Sequence, residues 1–328
     1  YHFAVSLGDM TEDNSAAQWR NMFKVLSGHY ANSLTAFVPG NHENTGDPLY
    51  QMFKAVTNLP AGVDDEIIGN TTGSFVIGDV CFVLLNTEPL SGLDGADMQA
   101  EKQAFYEAQK AWAKASFEAS GCQWRIIAAH AGLIQDDPWA TAFLEEMCDE
   151  LDVDLYFNGH IHNYYRATVY QGAAAEVGEG TTFITTSPMG CKFDDFVPGE
   201  IDELLQFQTG GSTDERQYFT HVSVSDDGLV VTAYQRTNDG DITNPKQFLD
   251  YEMIDGVFLT ESLSVKRGNY VPAASGADEE VAEPSVDVPA TATAFPWWWI
   301  VVAAVVIVAA IVILLVILRK RSKKDQEA

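Results

Sequence analysis

Positive charge is what this sequence has least of. Its 19 Lys and Arg are set against 47 Asp and Glu, a formal net charge of −28 over 328 residues. Such a surface excludes nucleic acid as a partner, because a phosphate backbone is held by clustered Lys and Arg. It also repels anionic ligands at long range, so a site for an anion has to carry its own local positive charge. The same acidity serves solubility. Cysteine is also scarce: Cys81, Cys122, Cys148 and Cys191 are scattered without C-x-x-C spacing. Outside the cytoplasm an even number permits disulfides in three possible connectivities, and the same residues serve equally as small buried hydrophobes. No internal repeat is found, so the chain is not a repeat array.

One long apolar run is present. Trp297–Leu318 is 22 residues without a charge, long enough to cross the ~30 Å hydrocarbon core as a helix. Trp297, Trp298 and Trp299 stand at one end, while Arg319, Lys320, Arg321, Lys323 and Lys324 crowd the other. That asymmetry predicts a single-pass cell-membrane protein with residues 319–328 as a basic cytoplasmic tail and the N-terminal part extracytoplasmic. The lipid bilayer is then a partner through 297–318. Residues 271–296, rich in Ala, Pro, Val and acid without amphipathic period, read as an extended stalk. Residues 1–270 are long enough for one domain with its own core.

Within that domain, helical periodicity over Ala16–Leu26, Pro48–Val56, Met98–Ser120 and Trp139–Leu151 alternates with short, nearly all-apolar runs. The apolar runs include Ser74–Ile77, Val80–Thr87, Trp124–Ala129 and Val153–Asn158. Further strands are expected at Tyr164–Tyr170, Thr181–Thr186, Tyr218–Ser225 and Leu229–Gln235. The pattern predicts an α/β fold with two mixed sheets packed together and helices outside.

Four segments far apart in sequence carry chemistry. They are Gly8-Asp9, Gly40-Asn41-His42-Glu43, His130, and Gly159-His160-Ile161-His162. Each follows a strand-like stretch, respectively His2–Leu7, Leu34–Pro39, Trp124–Ala129 and Val153–Asn158. One Asp, one Asn and three His at the carboxyl ends of strands gather oxygen and nitrogen ligands at one rim. Without a thiolate among them, the expected metals are Mn, Fe or Zn held by hard and borderline donors.

These segments resemble the calcineurin-like metallophosphoesterase superfamily, and within it most nearly the purple acid phosphatase-like branch, over most of residues 1–257. Gly73–Glu88 and His162-Asn163-Tyr164-Tyr165-Arg166 are similar to that branch as well. The resemblance implies a four-layer α/β/β/α sandwich and two divalent or trivalent metal ions. By it, Asp9 bridges the pair, Asn41, His130 and His160 serve the second ion, and His162 turns to the first. It assigns His42 as the general acid and Glu43 as the residue that orients its ring. Two cations ~3.5–4 Å apart lower the pKa of a bridging water and clamp the phosphoryl oxygens. The function implied is hydrolysis of a phosphate ester by metal-bridging hydroxide, with monoester, diester and nucleotide all open as substrates.

Two departures stand out. Glu12 occupies the position where the branch has the tyrosine that colours its metal centre. The Asp-x-His motif of the family's opening strand is missing, since only eight residues precede Asp9. The expectation is therefore an N-terminal fragment of a longer, once signal-led precursor whose first metal has only Asp9 and His162, with a gap in the sheet beside His2–Leu7. The alternative is a non-catalytic surface binding protein on a degenerate phosphatase scaffold.

Overall fold

The computed structural model describes residues 3–30, 32–47, 49–57, 59, 69–88, 96–135, 137–188, 192–195, 201–212, 216–237 and 251–272. The expected membrane span and basic tail, the stalk beyond Pro272, and Cys191 lie outside the described residues. Among the described residues no helix is long and apolar enough to cross a membrane.

The first half of the domain runs β1 (Phe3–Ser6), α1 (Ala16–Val25), α2 (Ser27–Tyr30), β2 (Leu34–Phe37), α3 (Gln51–Thr57), β3 (Gly73–Ile77), β4 (Val80–Leu84) and α4 (Ala96–Ser120). Next come β5 (Trp124–Ala128), α5 (Pro138–Glu150), β6 (Leu155–Asn158), β7 (Tyr164–Tyr170), β8 (Ala173–Ala174) and β9 (Thr181–Thr186). The chain then passes through β10 (Leu205–Thr209), β11 (Tyr218–Ser225), β12 (Gly228–Arg236), β13 (Tyr251–Leu259) and α6 (Leu263–Lys266).

The larger sheet has the order β10-β7-β9-β6-β5-β4-β3, with β8 on β7. Its centre, β4-β5-β6-β9, is parallel. Strand β4 is buried throughout, and alternation sends its side chains to two different cores. Cys81 and Val83 join Phe105, Phe117, Phe143 and Met147 of α4 and α5 on one face. Val80 and Phe82 join Trp124, Ile126, Leu229, Val231 and Val257 on the other, where the antiparallel sheet β11-β12-β13 packs. Each such fully buried side chain contributes ~1.5–3 kcal/mol relative to exposure. Helix α5 starts where Asp137 accepts the amides of Trp139 and Ala140 with Pro138 just inside, a capped first turn.

Strands β1 and β2 form a separate parallel pair, and α1 and α3 cover it through Trp19, Phe37, Tyr50 and Phe53. The layers are therefore helices, a large sheet, smaller sheets and helices again. Two details differ from expectation. The smaller layer is two sheets, β1-β2 and β11-β12-β13, where one was expected. Helix α3 begins at Gln51, because Tyr50 adopts a left-handed backbone, φ 55°, that interrupts the turn. The three described cysteines, Cys81, Cys122 and Cys148, are free and buried.

Candidate metal centre

The four motif segments do meet, but across two sheets and not along one. Asp9 and Asn41 follow the parallel pair β1-β2, whereas His130 and His160 follow the parallel pair β5-β6. The strand ends of both pairs face one rim. A hydrogen bond spans the gap between them: His130 Nδ1 lies 2.6 Å from the carbonyl oxygen of Leu7. That carbonyl accepts, so Nδ1 carries the hydrogen and Nε2 turns its lone pair inward.

Backbone strain buys this convergence. Gly8 has φ 93°, and a Cβ there would stand 2.5 Å from His130 Nδ1 and 2.8 Å from the Gly40 amide. A Cβ on Gly40 would collide with the Asp9 carboxylate. Asp9 and His160 are themselves left-handed, φ 53° and 68°, a conformation that costs of order 1–3 kcal/mol and clusters at functional sites.

The inward atoms form a tight group. Asn41 Oδ1 is 3.1 Å from His130 Nε2 and 3.2 Å from His160 Nδ1. His130 Nε2 is 3.2 Å from Asp9 Oδ2 and 3.3 Å from His160 Nδ1. Donor atoms held at about 2.1 Å by one cation are separated by about 3.0 Å at right angles and about 3.4 Å at tetrahedral angles. The four observed separations match such edges, and they match hydrogen-bond lengths as well. Among the described residues no group of three or more His, Cys, Asp or Glu qualifies as a metal cage by itself; here the Asn41 amide is a corner.

Without a cation a proton takes its place. Burial works against charge on His130, yet the Asp9 carboxylate beside it raises the imidazole to about 9. Burial would raise Asp9, but His130 and the His42 amide outweigh it and hold the carboxyl below its usual value. A single proton among four acceptor atoms is a poor match, and these residues fit a divalent ion well.

Glu43 is fully buried and accepts from the amides of Asp9 (2.7 Å), Gly40 (2.9 Å) and Thr11 (3.1 Å), and from the Thr11 hydroxyl (3.2 Å). This corrects the expectation that it orients His42: Glu43 clamps the two ligand loops together. His42 is held instead by the Glu12 carbonyl, 2.6 Å from Nδ1, and by its own amide, which donates to Asp9 Oδ1 at 3.1 Å. Its Nε2 is left facing the centre, 3.9 Å from Asp9 Oδ2.

His162 is the residue expected on the other ion, outside this group. Its Nδ1 sits 2.9 Å from Asp194 Oδ2, away from the N–H direction, and the Asp194 amide donates to the His162 carbonyl at 3.3 Å. The segment docked beside it thus draws the ring toward Asp194, and the four-atom group forms without it. Glu12 and His29 do not complete a second cage: Glu12 pairs with Lys192 at 2.7 Å, and His29 Nε2 meets Thr35 Oγ1 at 3.0 Å. Arg166 grips Asp255 through Nε at 2.7 Å and Nη2 at 3.1 Å. Sequence reasoning missed Lys192 and Asp194, which belong to no motif. It also missed Glu88, whose carboxyl desolvation pushes up to about 7 while the charges of His130 and Asp9 act on it from the centre.

Among known proteins, no curated sequence matches the chain. A purple acid phosphatase from yellow lupin (Lupinus luteus) seeds is similar in structure, with TM-score 0.60 and 16% identity over 84% of this chain and 50% of its own. This chain thus spans half the length of that enzyme, and at such identity the likeness shows the fold. Weaker likenesses are GAP50, the anchor in the inner membrane complex of Plasmodium (TM-score 0.48, 13% identity, 83% of this chain and 85% of that one), and Vps29 of Chaetomium thermophilum (0.34, 12%, 79% and 82%). The family model for calcineurin-like phosphoesterases matches residues 1–164, half of the 328, and those residues hold Asp9, Asn41, His42, His130, His160 and His162. The chain belongs to the calcineurin-like phosphoesterase family.

Proposed function

We propose that this protein is a metal-dependent phosphoesterase, held outside the cytoplasm by a membrane span at 297–318. One observation carries the catalytic part: Asp9 Oδ2, Asn41 Oδ1, His130 Nε2 and His160 Nδ1, from four distant segments, meet with neighbouring separations of 3.1–3.3 Å. Asp9, Asn41, His130 and His160 would hold the ion. Their nitrogen and oxygen character suits Mn, Fe or Zn. When bound, the ion supplies Lewis acidity for activating water and drawing charge from the phosphoryl group. The protein's own part is positioning and proton transfer. Glu43 fixes the two ligand loops, and His42, with Nδ1 committed to Glu12, presents Nε2 to the leaving oxygen as general acid. The uncharged run and its basic flank support the anchoring.

The test is metal analysis of the dialysed, Mn²⁺-reconstituted protein, followed by hydrolysis assays on an aryl phosphate monoester and the matching diester. Metal-dependent release of phenol is expected. Bound metal without hydrolysis of either ester would favour a binding protein on this scaffold.

A further inference from the structure

Strand β6 ends on Asn158, just ahead of the Gly159-His160 turn. A buried amide is costly unless its hydrogen bonds are made. Asn158 is fully buried, and its Nδ2 donates to Thr185 Oγ1 at 2.8 Å and to the Gly159 carbonyl at 3.0 Å. Thr185 is its register partner on β9, so the two side chains stand on one face of the sheet. The Oδ1 end is buried too and has no hydrogen-bond partner among the described residues. The donating end is therefore the one the fold uses.

The Gly159 peptide is held from both sides. Its N–H donates to the His130 carbonyl at 3.0 Å, and its own carbonyl accepts from Asn158. His160 follows with a left-handed backbone, φ 68°, and its Nδ1 lies 3.2 Å from Asn41 Oδ1 and 3.3 Å from His130 Nε2. Turning the Gly159 peptide would swing that ring out of the group. The same amide also meets the loop after His130. A Cβ on Gly132 would stand 2.5 Å from Asn158 Cγ and Oδ1, an approach that requires glycine.

We infer, resting on the metal-dependent reading above, that Asn158 is a positioning residue that sets His160 against His130. One buried amide fixes the peptide ahead of one ligand and abuts the loop behind the other. Outer groups that orient ligands typically account for ~10–100-fold in metal affinity. A packing role alone would ask only for the shape of the Asn158 side chain. Positioning asks for its N–H.

The experiment uses the full chain, stripped of metal, titrated calorimetrically with Mn²⁺ and melted without it. Asn158→Leu keeps the side chain's shape and removes its N–H, and its Mn²⁺ affinity should fall ~10–100-fold. Gly132→Ala leaves the amide in place but pushes it aside, and should weaken Mn²⁺ binding ~10-fold. Combining Gly132→Ala with Asn158→Ala gives the new methyl room, so the pair should bind Mn²⁺ no worse than Asn158→Ala alone. Thr181→Val breaks a buried bond to the Val153 carbonyl, 2.7 Å, at the far end of β9. It should lower the melting temperature and leave Mn²⁺ affinity unchanged. Wild-type Mn²⁺ affinity in Asn158→Leu, additive losses in the double variant, or an equal loss in Thr181→Val overturns the inference and leaves the metal reading standing. If Asn158→Leu does not fold, Gly132→Ala decides, and wild-type affinity there overturns the inference. Failure of the wild type to bind Mn²⁺ overturns both.

Discussion

The two ends of strands β5 and β6 hold buried polar clusters built from similar residues and resolved in opposite ways. At the carboxyl ends, Asp9 and Asn41 face His130 and His160, with acceptors turned toward one another. At the amino ends, Asp154 accepts the amides of Arg125 (2.9 Å) and Leu263 (2.7 Å), while Asp152 meets Arg267 (3.0 Å), Asn269 (2.9 Å) and, at 3.8 Å, Arg125. The second cluster is closed by the protein's own donors, and it docks α6 against the sheet. In the first, Asp9 is met by the His42 amide and by the His130 imidazole that its own charge keeps protonated. Buried carboxylates alone therefore do not mark a site. What distinguishes the first is that its polar atoms converge from four distant segments.

Removing one acid from each cluster should separate the two roles. Asp9→Asn is expected to lower Mn²⁺ affinity by more than the ~10–100-fold that loss of an outer partner costs. It should also abolish both hydrolysis and the rise in melting temperature that excess Mn²⁺ gives the wild type. Asp152→Ala should do the reverse, destabilising the fold by up to ~3 kcal/mol because Arg267 and Asn269 lose their buried carboxylate partner, while the metal stoichiometry holds. Equal metal loss in both variants would erase the contrast.

A smaller effect isolates His42 within the first cluster. His42→Ala should retain its metal and slow turnover of alkyl esters by ~10²–10⁴-fold, with less loss on activated aryl esters that leave without a proton. Uniform losses across leaving groups would remove the acid assignment.

The smallest effect is a pH slope from the closed cluster. Burial pushes Asp154 up to about 7 from an ordinary 3.8, although its two amide donors pull the other way. The folded state then holds a proton that the unfolded state has released, so this group's stabilisation is full below about pH 4 and is lost as pH rises toward 7. Asp154→Asn should flatten that decline in denaturation curves taken between pH 4 and 8. A slope unchanged by the substitution would assign the titration elsewhere.

Much of the fold was legible because its signals are local. Apolar runs such as Val80–Leu84 and Trp124–Ala128 are strands, and the three- and four-residue spacing of Phe105, Ala108 and Trp112 is a helix. Strands β10 and β13 were not: β10 alternates over only five residues, Glu252 and Asp255 break the pattern of β13, and pairing with neighbours decides both. The start of α3 turned on Tyr50, whose hydroxyl donates to the Glu88 carbonyl at 2.8 Å, a contact 38 residues away.

The sequence by itself determined the strand–loop units and the polar residues that follow them, Asp9, Asn41, His130 and His160, because residue chemistry and local period are written along the chain. Tertiary structure alone decided that the centre bridges two sheets, that Glu43 binds loop amides instead of a ring, that Asp194 draws His162 away, and that Lys192 arrives beside Glu12. Each of those depends on which distant segments pack together and on the direction a side chain takes once they do. Spacing along a chain carries no record of either.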